Sequence, residues 1–70
     1  MKISARNTLQ GTIKKIITGA VNTEVIIELQ GGANITSIVT KEAADALGLQ
    51  EGKSAYAIIK ASNVMLGVDH

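Results

Sequence analysis

The chain has seventy residues, 46% of them hydrophobic, with seven Lys and Arg against six Asp and Glu for a formal charge of +1. That balance is too even to give the long basic footprint a nucleic-acid backbone requires. There is no Cys, and the one His cannot by itself make a metal centre, so neither disulfides nor a ligated metal stand behind the fold. Folding at this length hides only about 60% of the unfolded chain's surface, and small domains commonly add association to make up the margin. A homo-oligomer is therefore expected, with part of the aliphatic surface at subunit contacts. Met1-Lys2-Ile3-Ser4 holds no apolar run of a secretion signal, and no stretch reaches the length of a bilayer span. The expectation is a cytoplasmic protein with no membrane partner.

One domain, residues 1–70, fills the chain without Pro, charge run or repeat. Its first β-rich run, Thr8 to Thr18, loses its alternation at Lys14-Lys15 before Ile16-Ile17, which predicts a bulged or bent strand. The second run, Val21 to Leu29, alternates cleanly. Val25, Ile27 and Leu29 share one face; Glu24, Glu28 and Gln30 share the other with Ile26, whose apolar side chain there suggests an interface. Gly31-Gly32 supplies a hairpin turn into a third strand, Asn34 to Thr40. A short helix is predicted over Lys41 to Leu47. Thr40 caps it, Ala43, Ala44 and Ala46 favour it, and Gly48 ends it, although Ala43 leaves the capping box incomplete. After the Glu51-Gly52 turn come a strand from Ser54 to Lys60 and a short final strand from Val64 to Val68. The order predicts an all-β fold with one short helix, an OB-fold-like five-stranded barrel.

Three polar clusters interrupt the aliphatic background: Ser4-Ala5-Arg6-Asn7, Thr36-Ser37 with Thr40, and Lys60-Ala61-Ser62. Each alone reads as a polar lead-in, exposed strand residues or a strand-end lysine. Together they offer a guanidinium, an ammonium, hydroxyls, an amide and backbone N–H groups of small residues, with no carboxylate. A donor-lined pocket suits a fully deprotonated tetrahedral dianion, whereas monoprotonated phosphate brings a hydrogen in need of an acceptor. Sulfate passes that filter and is rejected only by size. No catalytic residue is expected. Glu24, Glu28, Glu42, Asp45, Glu51 and Asp69 fall on solvated faces or turns, no nucleophile has an obvious base, and Asp69-His70 reads as a polar tail.

In order along the chain, Ile3-Ser4-Ala5-Arg6-Asn7-x-Leu9-x-Gly11, Glu24-Val25, Ile35-Thr36-Ser37-Ile38-Val39-Thr40, Leu47-Gly48-Leu49-x-Glu51-Gly52 and Ile58-Ile59-Lys60-Ala61-Ser62-x-Val64-Met65 resemble the pattern of the molbindin (Mop) family. The resemblance spans nearly the whole chain. It implies an OB-like barrel, assembly as a homohexamer built as a trimer of dimers, and binding of molybdate or tungstate at subunit interfaces for intracellular molybdenum storage. A single copy without a DNA-binding or ATPase segment is similar to the family's stand-alone form. By position, Ser4, Arg6, Lys60, Ala61 and Ser62 match oxyanion-binding segments, Ala61 through its backbone N–H; Asn7 adjoins them, and Thr40 matches a hydroxyl supplied across an interface. Ala43 departs from relatives that carry Ser there. The stretch Gly19, Ala20 and Val21 resembles the lining of a second class of oxyanion site near a three-fold axis. The metal atom is held through its oxygens, with no residue ligated to it directly.

An OB-fold nucleic-acid module is the alternative of another class. Such modules stack bases on aromatic side chains in a basic groove, and Tyr56 is the only aromatic residue in this chain.

Overall fold

A computed structural model describes residues Met1 to Asp69, so of the predicted Asp69-His70 tail, His70 lies outside the described residues. Four strands and one α-helix appear in the order β1 (Asn7–Thr18), β2 (Asn22–Leu29), β3 (Asn34–Thr40), α1 (Lys41–Leu47) and β4 (Ser54–Ile59), followed by a 3-10 turn at Ala61–Asn63. They form one antiparallel sheet with spatial order β3-β2-β1-β4. Residues from both edge strands, Thr36 and Ser37 of β3 and Tyr56 to Ile59 of β4, line a single hollow of about 340 Å³. The sheet therefore curls until its two edges face each other, the beginning of a barrel.

Local sequence explains each element. In β1 the pairing with β2 slips between Ile13 and Lys15, where Lys14 is the extra residue, so the broken alternation marks a real bulge. The β4 ladder stops at Thr12↔Ser54, and the loop before β4 takes over the exposed side of β1 beyond it. Ile13 N–H donates to the Lys53 carbonyl at 2.8 Å, Gly52 N–H donates to the Ile13 carbonyl at 2.8 Å, and Ile16 N–H donates to Glu51 Oε2 at 3.0 Å. Backbone groups that the ladder would have left open are thus satisfied by a turn. The α1 helix has the bounds its caps predict. Thr40 Oγ1 accepts from Ala43 N–H at 3.0 Å, and Gly48 closes the helix in the left-handed region at φ 64, ψ 37.

The core lies inside the curl. Ile13, Val25, Ile27 and Ala57 are buried there, with Ile16, Leu29, Ile35, Val39, Leu49 and Ala55 packed around them. Ala44 of α1 is buried as well. Thr23, on the inward face of β2, is 1% exposed, and its hydroxyl has no hydrogen-bond partner.

The expected last strand is the one element that does not form within the chain. The 3-10 turn at Ala61–Asn63 carries the backbone off the end of β4, and residues 64–68 pair with neither sheet edge. A strand needs an edge to pair with, whatever its propensity. Met65, Leu66 and Val68 are instead 92%, 94% and 87% exposed.

Candidate oxyanion site

Antiparallel pairing of the start of β1 with the end of β4 builds the site. Asn7 lies opposite Ile59 and Thr8 opposite Ile58, so the residues leading into β1 and those leaving β4 meet at one end of the sheet. There Ser4, Ala5, Arg6, Ile58, Lys60, Ala61, Ser62 and Asn63 line one open pocket of about 570 Å³. Five of the seven residues expected at the primary site, Ser4, Arg6, Lys60, Ala61 and Ser62, are brought together although they come from opposite ends of the sequence. Asn7 begins β1 just beside this lining.

The pocket's chemistry is that of donors. Two cationic groups, Arg6 and Lys60, and the hydroxyls of Ser4 and Ser62 share it with no carboxylate in the lining. In the 3-10 turn, Asn63 N–H is used by the Lys60 carbonyl at 2.9 Å and Val64 N–H by the Ala61 carbonyl at 3.2 Å. The N–H groups of Ala61 and Ser62 come before those bonds and have no acceptor within the turn, as at the start of any helical segment. All of these groups are solvent-accessible except the half-buried Ala5, so an anion entering here displaces water rather than side chains.

Thr40 lies elsewhere within one chain. It ends β3 opposite Asn22, next to the Thr18–Thr23 pair that closes the far end of β1, and it is not part of the pocket lining. Its oxygen already accepts the Ala43 N–H, which leaves the hydroxyl proton free to donate outward. Gly19, Ala20 and Val21 form the exposed connection between β1 and β2, remote from the pocket. There Gly19 N–H already donates to the Asn22 carbonyl at 2.8 Å, and the Val21 carbonyl accepts from Lys41 N–H at 2.8 Å. Asn63 lines the pocket yet lies outside the expected set; its place directly after Ser62 on the same turn is the signal that could have included it.

Among the described residues no three His, Cys, Asp or Glu side chains group to hold a metal ion, and no helix is long and apolar enough to cross a membrane.

Comparison with known proteins adds a family. Residues 3–66 match the model of the TOBE domain. A probable molybdenum-pterin-binding protein of Haemophilus influenzae is 51% identical over 69 residues, covering 99% of this chain and all of that protein. Among solved structures, the cytoplasmic molybdate-binding protein ModG with molybdate bound superposes with a TM-score of 0.94 at 64% identity, over 99% of this chain and 49% of that one. MopII from Clostridium pasteurianum superposes with a TM-score of 0.91 at 39% identity, over 96% of this chain and 100% of that one. With the sequence motifs, the curled sheet and matches over nearly the whole of this chain in agreement, the chain belongs to the TOBE-domain family and, within it, to the molybdenum-pterin-binding, or molbindin (Mop), group.

Proposed function

We propose that this chain binds molybdate, and tungstate as its equivalent in shape and charge, in the pocket between Ser4–Arg6 and Lys60–Ser62. The anion is held reversibly and nothing is catalysed. One observation carries the reading: two segments from opposite ends of the chain converge on a pocket with two cations, two hydroxyls and no carboxylate. Arg6 and Lys60 match the charge of a dianion. Hydrogen bonds to a charged group contribute about 1.5–3 kcal/mol each, so roughly six supply the ~8 kcal/mol of micromolar binding with a margin for association costs. A tetrahedron without protons satisfies every donor, and the larger size of molybdate and tungstate separates them from sulfate.

The pocket is open, so a single chain surrounds an anion on one side only. A neighbouring subunit closes it in the proposed assembly, a hexamer arranged as a trimer of dimers, with Thr40 as the donor from across the interface. Exposed apolar side chains support association: Ile17, Val21 and Ile38 on the sheet and its turn, and Val64, Met65, Leu66 and Val68 beyond it. The segment Gly19–Val21 contributes a second, weaker oxyanion site in that assembly. The physiological role is cytoplasmic molybdenum storage. Several relatives are named for molybdenum-pterin. A pterin ring has N–H donors that need acceptors, which this pocket does not favour, so the anion alone is assigned to it.

Titration calorimetry with sodium molybdate, run beside native mass spectrometry of the same samples, tests the proposal. Saturable binding by an oligomer is expected. A monomer that takes up neither molybdate nor tungstate overturns it.

A further inference from the structure

The donors of the oxyanion pocket do not by themselves separate molybdate from sulfate. Both are tetrahedral dianions without a proton at neutral pH, and each satisfies the same cations and hydroxyls. Ile58 is the one large apolar side chain in that lining, and it is 47% exposed, so the core does not account for it. Its position is set by the strand pairing. The β1–β4 ladder ends at Asn7↔Ile59, with Thr8↔Ile58 one step inside. Side chains alternate along a strand, so Ile58 shares the outer face of β4 with exposed Tyr56, opposite buried Ala57. Carried one residue past the ladder, the same register sets Arg6 against Lys60, whose backbone is still extended at φ -63, ψ 129. Both cations therefore adjoin Ile58 on one face.

An apolar wall beside two positive charges has a definite effect on an anion. It strips water from one side of the ion and returns no hydrogen bond. That penalty falls as the ion grows, since the cost of desolvating a charge varies inversely with the radius over which it is spread. Sulfate, small and strongly hydrated, loses most. Molybdate loses least, and its larger surface gains dispersion contact with the isoleucine across a gap that sulfate leaves open. We infer that Ile58 sets the preference of this pocket for large over small tetrahedral dianions, and that the selection is made by hydration rather than by the number of donors. The inference rests on the oxyanion reading of the pocket and adds the side chain that makes it selective. Ile58 also lines the hollow between the two sheet edges, so a role as a subunit contact alone is the competing account. The two differ in consequence: a subunit contact affects every anion alike, whereas a hydration filter changes their order.

Calorimetric titration of the full chain with sulfate, selenate and molybdate, three dianions of rising radius, measures the selectivity. With Ile58 in place, affinity should rise in that order. Ile58→Thr keeps a β-branched side chain in the strand and puts a hydroxyl into the wall. It is expected to lower the ratio of molybdate to sulfate affinity by about fivefold or more, because the smaller ion gains most from the added donor. Ile58→Val, still apolar, should retain the order of the three anions. A ratio in Ile58→Thr equal to that of the unmodified chain overturns the inference, as does a ratio that falls as far in Ile58→Val. A change of all three affinities by one factor makes Ile58 a subunit contact and overturns it too. If the unmodified chain takes up no molybdate, the oxyanion reading itself fails, and this inference with it.

Discussion

Lys60 carries one of the two positive charges in the oxyanion pocket, and its neighbours cannot replace it. Without its ammonium a dianion keeps only Arg6 as a countercharge, so Lys60→Ala is expected to weaken molybdate binding by about 2 kcal/mol, roughly thirtyfold. An unchanged affinity by calorimetry removes Lys60 from the site. Because Lys60 is exposed and its side chain supports no core contact, the loss should come without a change in thermal stability. Thr23 is the opposite case, a residue whose side chain matters to stability alone. Its hydroxyl is buried without a partner among Val25, Ile27 and their neighbours on the inward face of β2. A buried donor left unmade costs about 1–3 kcal/mol, and valine offers the same shape without that group. Thr23→Val is expected to stabilise the protein by about 1 kcal/mol, which raises Tm by roughly 4–8 °C in a domain of this size. A lower Tm means that the hydroxyl has a partner in solution. Gly11 is fixed by space: a Cβ there would stand 2.6 Å from both the Glu28 carbonyl oxygen and Ile27 Cγ2, too close for β1 and β2 to keep their spacing.

The α1 helix shows how far element boundaries can be read from local chemistry. Thr40, the alanines and Gly48 each have one structural solution, and the helix has the bounds they imply. Gly48 adopts φ 64, where a side chain meets its own backbone, so Gly48→Ala should cost about 1 kcal/mol, seen as a Tm lower by several degrees with molybdate affinity intact. A Tm unchanged within error would show that the helix end readjusts freely. The strands divide on the same principle. β2 and β3 were legible because alternation and the Gly31-Gly32 turn are local, and even the bulge at Lys14 announced itself by a broken period. Val64 to Val68 has strand composition too, yet whether it becomes a strand depends on an edge supplied from elsewhere, which composition does not encode. The site divides likewise. Arg6 and Lys60 share a donor chemistry that composition shows, but their meeting in one pocket follows only from the pairing of β1 with β4, which local sequence does not encode. The role of Thr40 across an interface and the second site at Gly19–Val21 rest on the family resemblance, and a single chain leaves both apart from the pocket.

At the scale of the whole molecule, the same segment links the fold to the proposed assembly. The sheet ends in two unpaired edges, β3 and β4, which face each other across an apolar hollow, while an extended apolar tail leaves the pocket end of the same chain. Such edges and such a tail are each a liability in isolation, and pairing between copies removes both at once. If the tail of one copy joins the sheet of another, then Ala61 and Ser62, just ahead of it, are drawn into the interface with the anion they bind. Assembly and occupancy become linked, since a ligand that binds only the assembled form stabilises it by RT ln(1 + [L]/Kd), about 2.7 kcal/mol at a hundredfold excess over Kd. A chain ending at Asn63 keeps every residue of the oxyanion pocket and loses only the tail. Native mass spectrometry should then show smaller species than the full chain gives, and molybdate should shift their Tm less. If the shortened chain instead assembles and binds as the full chain does, contacts through Ile17, Val21 and Ile38 hold the oligomer together, and the open edges are closed by something other than the tail.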